Sequence, residues 1–520
     1  MKTRILKYSL LIVFYAFSFL GISQSNSQKN IILIITDDHA YQAISAYNNR
    51  LANIAPTPNI DKLANSGVRF DRSYVGNSIC APSRATMLTG KHSHLNGIKT
   101  LKEKFDGSQP TIANILQKNG YETSFFGKWH LKNEPEGFSN WDVLIGQGDY
   151  YNSDFKTKDG ITRSEGYVTD VITDKAINWL NAEREKEKPF MMIVGHKAPH
   201  ANWLPPVKYL TTFDAVEIPE PTNLFDDHSG NGLGVKETDM TIEEMPMGWY
   251  CQLWSEMKEK PNRYEDFGGT LWKRAYGRLS NEEKASFDKV FNPKNEAFLK
   301  TNLKGEDLIR WKYQRIMKNY LGCVKSVDDN VGRLMEYVKT AGLEENTLVI
   351  YVSDQGLFLG EHGWYDKRMM YEEAFRTPLI VSCPSIRTKG TVSKQLVQNI
   401  DYAPTILDFA GVEIPEDMQG ESLVPILNKV KAKNWRKSLY YQYYDYPGGH
   451  DIHKHQGVVT KRYKLIYFYE IGEWEFYDLK KDPSEMKNEY KNSTYKKEIA
   501  RLKKELNKLQ KMYNVPNNSI

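Results

Sequence analysis

Cysteine is nearly missing from this chain: four in 520 residues, at Cys80, Cys251, Cys323 and Cys383. So few thiols exclude a disulfide-stapled scaffold; at most one or two bridges can form, and Cys80 is not expected in one. A strong charge of either sign is missing too, since 70 Lys and Arg stand against 65 Asp and Glu for a formal charge of +5. Three of those cations, Lys2, Arg4 and Lys7, precede an apolar run from Leu10 to Leu20, and the small residues Gly21 and Ser23 follow it. The run is too short to span a bilayer comfortably, so residues 1–23 read as a cleaved secretory signal rather than a membrane anchor. No Cys follows it, which leaves lipoprotein anchoring without support. Removing the three cations from +5 leaves +2, nothing like the general field by which a protein holds nucleic acid. Nucleic acid is therefore not expected as a partner, and any preference for anions must come from local placement.

What is present is the composition of a globular protein, 40% hydrophobic and 26% charged, in a length that predicts roughly two domains. Four strand-like runs, three of them continuously apolar, each end in residues that carry chemistry. Ile31 to Ile35 ends in Asp37 and Asp38, and Leu348 to Val352 ends in Asp354 and Gln355. Tyr121 to Gly127 runs into Lys128 and His130, which point the same way if the backbone stays extended; Phe190 to Val194 is followed by His196 and His200. Unbroken apolar runs suit strands covered on both faces, and the carboxyl ends of parallel strands are where α/β folds build their sites. Oxygen ligands from two separated strand ends suit a hard cation such as Ca²⁺.

A fifth stretch, Ser78 to Gly97, places Cys80 where a loop enters a helix, with Arg84 about one turn further on. A side chain there meets free backbone N–H groups and a guanidinium, which is an arrangement for handling anions. Thr57 to Val75 reads as a capped helix followed by a strand, and further helices are predicted over Pro110 to Asn119, the VTDVITDKAINWLNAE run, Trp311 to Thr340, and Asp401 to Val412. Residues 223–302 fit the pattern poorly and read as an insertion, partly helical, that holds Trp249, Trp254 and Trp272. Beyond about Lys433, aromatic segments alternate around a KRYK turn, which predicts a four-stranded antiparallel sheet. A terminal amphipathic helix carries Ile499, Leu502, Leu506 and Leu509, with its lysines on a solvated outer face. His450, His453 and His455 lie ahead of the second of those strands, where the smaller domain can lean them into the cleft.

The motifs resemble one family. Cys80-Ala81-Pro82-Ser83-Arg84 followed by TMLTG is similar to the sulfatase signature Cys-x-Pro-Ser-Arg, and GKWHL, Gly127 to Leu131, is similar to the second sulfatase signature. Ala198-Pro199-His200 resembles the family's substrate-binding histidine site, and the EHGWYDKRMM run resembles the segment that supplies a sulfate-binding lysine, here Lys367. These motifs match in order over nearly the whole mature chain. The resemblance implies an alkaline-phosphatase-like α/β sandwich with a large, mixed, mostly parallel sheet over residues 24–432, and a smaller C-terminal subdomain over 433–520. It implies that a maturase oxidises Cys80 to Cα-formylglycine (3-oxoalanine), and that Asp37, Asp38, Asp354, Gln355 and residue 80 hold Ca²⁺; the family usually has Asn or His where Gln355 stands. Cys80, Arg84, Lys128, His130 and Asp354 are the catalytic residues so implied. His200 and Lys367 are the substrate contacts, with His196 and His455 as further candidates.

The expected activity is hydrolysis of sulfate esters on a saccharide by an exported enzyme, periplasmic or secreted. The GQGDYYN and YEEAFRTP runs resemble bacterial polysaccharide-degrading members, which leaves ulvan, carrageenan and glycosaminoglycans open as substrates. Three alternatives stand beside this: a phosphodiester or phosphonate monoester hydrolase of the same superfamily, a non-catalytic carbohydrate-binding paralogue, and a thiol enzyme using Cys80 directly. A binding module needs neither nucleophile nor base, and a thiol enzyme has no need of two acidic strand ends.

Overall fold

The computed structural model describes residues 29–253, 273–429 and 435–516. The expected signal segment, Trp254, Trp272 and the expected domain junction at 432–433 lie outside the described residues.

The apolar runs become the middle of a ten-stranded sheet. Asn30–Thr36 lies between Phe190–Gly195 and Thr347–Ser353, parallel to both, and Glu122–Gly127 and Asn140–Leu144 continue the parallel set. Antiparallel strands close both ends, with Leu379–Ser382 next to Thr347–Ser353 on one side and Asp154–Thr157 next to Asn140–Leu144 on the other. Alternate residues of the central strand serve opposite cores. Ile32 and Ile34 pack with Ile172, Val324 and Val327 of the helices Val168–Asn178 and Gly305–Thr340. Ile31, Leu33 and Ile35 pack with Ala85, Leu116 and Ile406 of Cys80–Thr89, Ile112–Lys118 and Tyr402–Phe409. Each aliphatic side chain buried this way contributes roughly 1.5–3 kcal/mol, which explains why the three middle strands are so largely apolar until they reach the edge. The long helix begins at Gly305 rather than Trp311, with Glu306 and Asp307 in its first turn, where acids complement the helix dipole.

Register brings the four strand ends together. Thr36 pairs with Ser353, Ile35 with Gly195, and Gly127 with Gly195. Beyond them Asp354 N bonds Thr36 O at 3.0 Å, His196 N bonds Ile35 O at 2.8 Å and Lys128 N bonds Gly195 O at 2.7 Å. Gly127 is required here: its φ is +107°, and a Cβ would stand 2.0 Å from Gly195 O.

The smaller sheet has the order Ser438–Tyr443, His455–Thr460, Tyr463–Phe468, Glu473–Asp478, all antiparallel. The helix Lys496–Met512 covers one face through Leu502 and Leu506, against Tyr440 and Leu465. The other face, with Tyr441, Tyr443 and Phe468, packs on Met369, Met370 and Phe375 of the large unit. Tyr441 ties the two together: its hydroxyl accepts from Ser78 N at 3.4 Å and donates to Arg368 O at 2.5 Å. In the region expected as an insertion, the described elements are the short helices Leu233–Lys236 and Met247–Tyr250 and the long helix Asn281–Leu299, started by a Ser280/Glu283 capping box. All four cysteines are buried and free, so the one or two bridges left open by the sequence do not form. Among the described residues no helix is long and apolar enough to cross a membrane.

Candidate active site

The helix Cys80–Thr89 is buried along its whole length and starts at Cys80 itself, with Ile79 extended before it and Gly90 closing it at φ 64°. Cys80 therefore sits among the unpaired N–H groups of the first turn. Arg84 donates from Nε to Asp354 Oδ2 at 2.9 Å and from Nη1 to Lys128 O at 2.5 Å. Ser83 Oγ donates to Asp354 O and accepts from Asn399 Nδ2, so the helix is pinned to the end of Thr347–Ser353.

Around the Cys80 sulfur the two acidic strand ends meet. The thiol donates to Asp37 Oδ1 at 3.4 Å, and Gln355 Nε2 lies 3.7 Å from Sγ. Lys128 bonds both Asp37 and Gln147; Lys367 reaches Asp38 at 2.6 and 2.7 Å; His200 Nε2 is 3.7 Å from Asp38 Oδ2. Burial works to raise Asp37, but Lys128, His200, Arg84 and Lys367 together hold it well below the usual carboxylate range. Asp38 and Asp354 go the other way. Burial raises Asp38 against the pull of Lys367, and burial with the charge of Asp37 raises Asp354 to about 7. Burial lowers both His130 and His200 well below the ordinary histidine value, keeping the rings neutral. Burial and Asp37 push the Cys80 thiol up to about 12.

Asp37, Asp38 and Asp354 bring oxygen atoms within 4.8 Å of one another, and Gln355 Oε1 is buried beside them with no hydrogen-bond partner among the described residues. Three carboxylates and a free amide oxygen fit a hard divalent cation, and Gln355, the position where the family pattern differs, supplies the oxygen that set needs.

Two expectations are corrected. His455 does not reach the cavity: it is fully buried in the small sheet, stacked on Tyr441 and packed against Phe468, with Nδ1 facing His453 O at 2.8 Å. Strand alternation turns it inward, whereas His450, in the turn before the strand, lines the cavity and bonds Asp366 at 2.9 Å. Nor is the backbone extended between Lys128 and His130, because His130 has φ 62°; both side chains still act on the Asp37 cluster. His196 is buried at its strand end, outside the cavity lining, and its titration responds to burial alone.

The cavity above Cys80 and Asp38 holds about 830 Å³. Gln147, Lys197, Trp249, Arg274 and Arg368 also line it, and the sequence reading gave none of them a role. Two of them had a signal: Lys197 stands three residues before His200, and Arg368 directly follows Lys367. Asp38, His130, Asp366, Arg368 and His450 all hold positive φ, between 62° and 92°, a costly conformation for a residue with a Cβ.

A centre of this kind grips a tetrahedral anion, and the sandwich that carries it is that of the alkaline-phosphatase-like hydrolases. Within that class the match is specific: the family model described as Sulfatase covers residues 29–412, and that described as N-sulphoglucosamine sulphohydrolase, C-terminal, covers 360–512. The chain belongs to the sulfatase family. It is 45% identical over 500 residues to an N-acetylglucosamine-6-O-sulfatase of Bacteroides thetaiotaomicron, covering 94% of this chain and 88% of the relative. An N-acetylglucosamine-6-sulfatase of Homo sapiens is 27% identical over 81% of this chain and 68% of its own. Among solved structures, a protein in complex with its substrate D-glucosamine-2-N,6-O-disulfate superposes with a TM-score of 0.89 at 44% identity, over 95% of this chain and 99% of that one.

Proposed function

We propose that this sulfatase removes the 6-O-sulfate from glucosamine units of glycosaminoglycan oligosaccharides, after export, with residue 80 converted to formylglycine and Ca²⁺ held by Asp37, Asp38, Asp354 and Gln355. The observation that carries the reading is the position of residue 80. It is the first residue of a buried helix, within 3.4 Å of Asp37, which Lys128 bonds, and under a large cavity that Lys367 and His200 line. Substrate choice is supported by the relatives, two of which are named for a 6-sulfated glucosamine, over algal polymers. In this structure Sγ stands where the formylglycine oxygen would be. A thiol pushed up to about 12 is a poor nucleophile, which supports conversion to a hydrated aldehyde over direct use of Cys80.

Bound Ca²⁺ would acidify the diol and polarise the sulfate oxygens. One diol hydroxyl gives its proton to Asp354, which Arg84 orients through its Nε bond to Oδ2, and its oxygen bonds to sulfur as the sulfur–sugar oxygen bond breaks. The leaving oxygen takes a proton from His200 or from Lys367, which both stand beside Asp38. The second hydroxyl then gives its proton to His130, the aldehyde re-forms, and sulfate leaves. Arg84 and Lys128 hold the diol and offset its charge, each worth several kcal/mol, roughly, in so dry a site.

The test is paired. A tryptic peptide containing residue 80 should weigh about 18 Da less than its Cys form, because an aldehyde replaces the thiol. The same protein should release sulfate from N-acetylglucosamine-6-O-sulfate far faster than phosphate from the matched 6-phosphate. Unmodified thiol in fully active protein, or preference for phosphate or phosphonate esters, would overturn the reading.

A further inference from the structure

Each cation described so far around the anion site already has a buried acid. Lys128 bonds Asp37, Lys367 bonds Asp38, Arg84 bonds Asp354 and Arg368 bonds Asp366. Lys197 differs. It lines the same cavity and is only 3% exposed, yet among the described residues its ammonium has neither a hydrogen-bond acceptor nor a carboxylate within ion-pair distance. It lies 5.0 Å over the ring of Tyr150, whose hydroxyl is engaged elsewhere, donating to His200 O at 2.6 Å. Asp149, the nearby acid of that loop, already faces Arg274 at 3.0 Å and Arg278 at 3.4 Å.

An ammonium buried without an anion costs several kcal/mol, roughly, and a ring face recovers only part of that. Burial and the charge of Lys128 push Lys197 down to about 8, so it is still a cation at neutral pH. The cavity thus keeps a charge that no carboxylate among the described residues contacts, although Asp37, Asp38 and Asp149 act on it from further off. Nor is it needed by the sulfate being cleaved, since Arg84, Lys128 and Lys367 already gather at Asp37, Asp38 and Asp354 with His130 and His200, and Lys197 bonds none of these acids. We propose that Lys197 binds a second anionic group of the substrate, separate from the sulfate that is removed, and thereby selects doubly charged sugar units. The inference rests on the glucosamine 6-sulfatase reading. The shared chemistry is one oxyanion, either an N-sulfate on the same sugar or the carboxylate of a linked uronate.

Matured wild type, Lys197→Met and Lys197→Arg would be compared on N-acetylglucosamine-6-O-sulfate, on glucosamine-2-N,6-O-disulfate, and on a uronate-linked disaccharide of the first sugar. Loss of one charged hydrogen bond should cut the Met variant's preference for a doubly charged substrate about tenfold or more, through KM rather than kcat, and Arg should restore most of it. Loss on the disulfate assigns the N-sulfate; loss on the disaccharide assigns the carboxylate. Equal losses on all three substrates, or none, would overturn the inference while leaving the reaction intact. Thermal unfolding adds a readout that a structural lysine would move the other way: the Met variant should melt no lower than wild type, because it buries no unpaired charge. Calorimetric binding of the singly and doubly charged sugars to Cys80→Ser protein, with and without Lys197→Met, decides the inference without turnover. If wild type cleaves none of the sugars, the reaction reading fails by itself; if none of them binds either, both fail.

Discussion

The floor of the cavity and its walls are built differently. The floor comes from strand ends and one helix start: Asp37 and Asp38 after Asn30–Thr36, Asp354 and Gln355 after Thr347–Ser353, and Cys80 and Arg84 on a helix buried throughout. Its groups answer one another within hydrogen-bond distance. The walls come from turns and short segments, where Gln147, Lys197, Trp249, Arg274 and His450 share no regular element. On the proposed reading, the reaction chemistry is fixed by the sheet, whose register moves by whole residues or not at all, while contacts to the rest of the substrate are left to loops that can vary without disturbing it.

Substitutions can break this contrast. The largest effect is expected at Cys80→Ala, which should lower turnover by about four orders of magnitude or more with the thermal midpoint nearly unchanged, as measured by sulfate release and calorimetry. Next is the cation: extensive chelation should cost about a hundredfold in kcat, restored by Ca²⁺ better than by Mg²⁺. Stoichiometric zinc in chelator-free protein would refute that donor assignment. The two histidines sharpen the picture within the floor. His130→Ala should accumulate enzyme heavier by about 80 Da, one bound sulfate, in intact-mass spectra after brief exposure to substrate, because elimination stalls. His200→Ala should show no adduct and a slower first step, more so for a sugar than for an activated aryl sulfate; the reverse pattern would exchange the roles. On the wall, Trp249→Ala should raise KM about fivefold and change kcat little, and an equal fall in kcat would mean that the wall takes part in the chemistry. The smallest effect on activity is expected at Leu502→Ala in the terminal helix. It should cost about 2–5 kcal/mol in denaturant unfolding and leave kcat/KM at 25 °C as it was.

The same contrast explains what could be read in advance. Strands covered on both faces must be apolar throughout, so Ile31 to Ile35 and Leu348 to Val352 announced themselves, and the residues just beyond them were marked by position. The smaller sheet was legible for the related reason that its aromatic segments alternate. Wall residues carry no such period. Met247–Tyr250, which brings Trp249 to the cavity, is four residues long, too short for helical periodicity to show. In Asn281–Leu299 an internal Pro293 and many charges hide a helix whose buried contacts are mainly Phe287, Phe291 and Asn295. The histidine cluster failed on a matter of one strand's parity: His455 faces Tyr441 and Phe468, and of the three it is the turn residue His450 that lines the cavity, bonded to Asp366.

The bond from Ser78 N to the Tyr441 hydroxyl sets a clock on biosynthesis. Cys80 is 1% exposed in the finished fold, and part of what covers its loop, Ser438–Tyr443, is made roughly 360 residues later, about 20–70 s at ordinary rates of chain growth. On the proposed reading, in which a maturase oxidises residue 80, that interval is the time the Cys80 segment has before Ser438–Tyr443 exists to cover it. Slowing the ribosome downstream should therefore raise the fraction of residue 80 that is oxidised, while a circular permutant that makes the small sheet first should lower it.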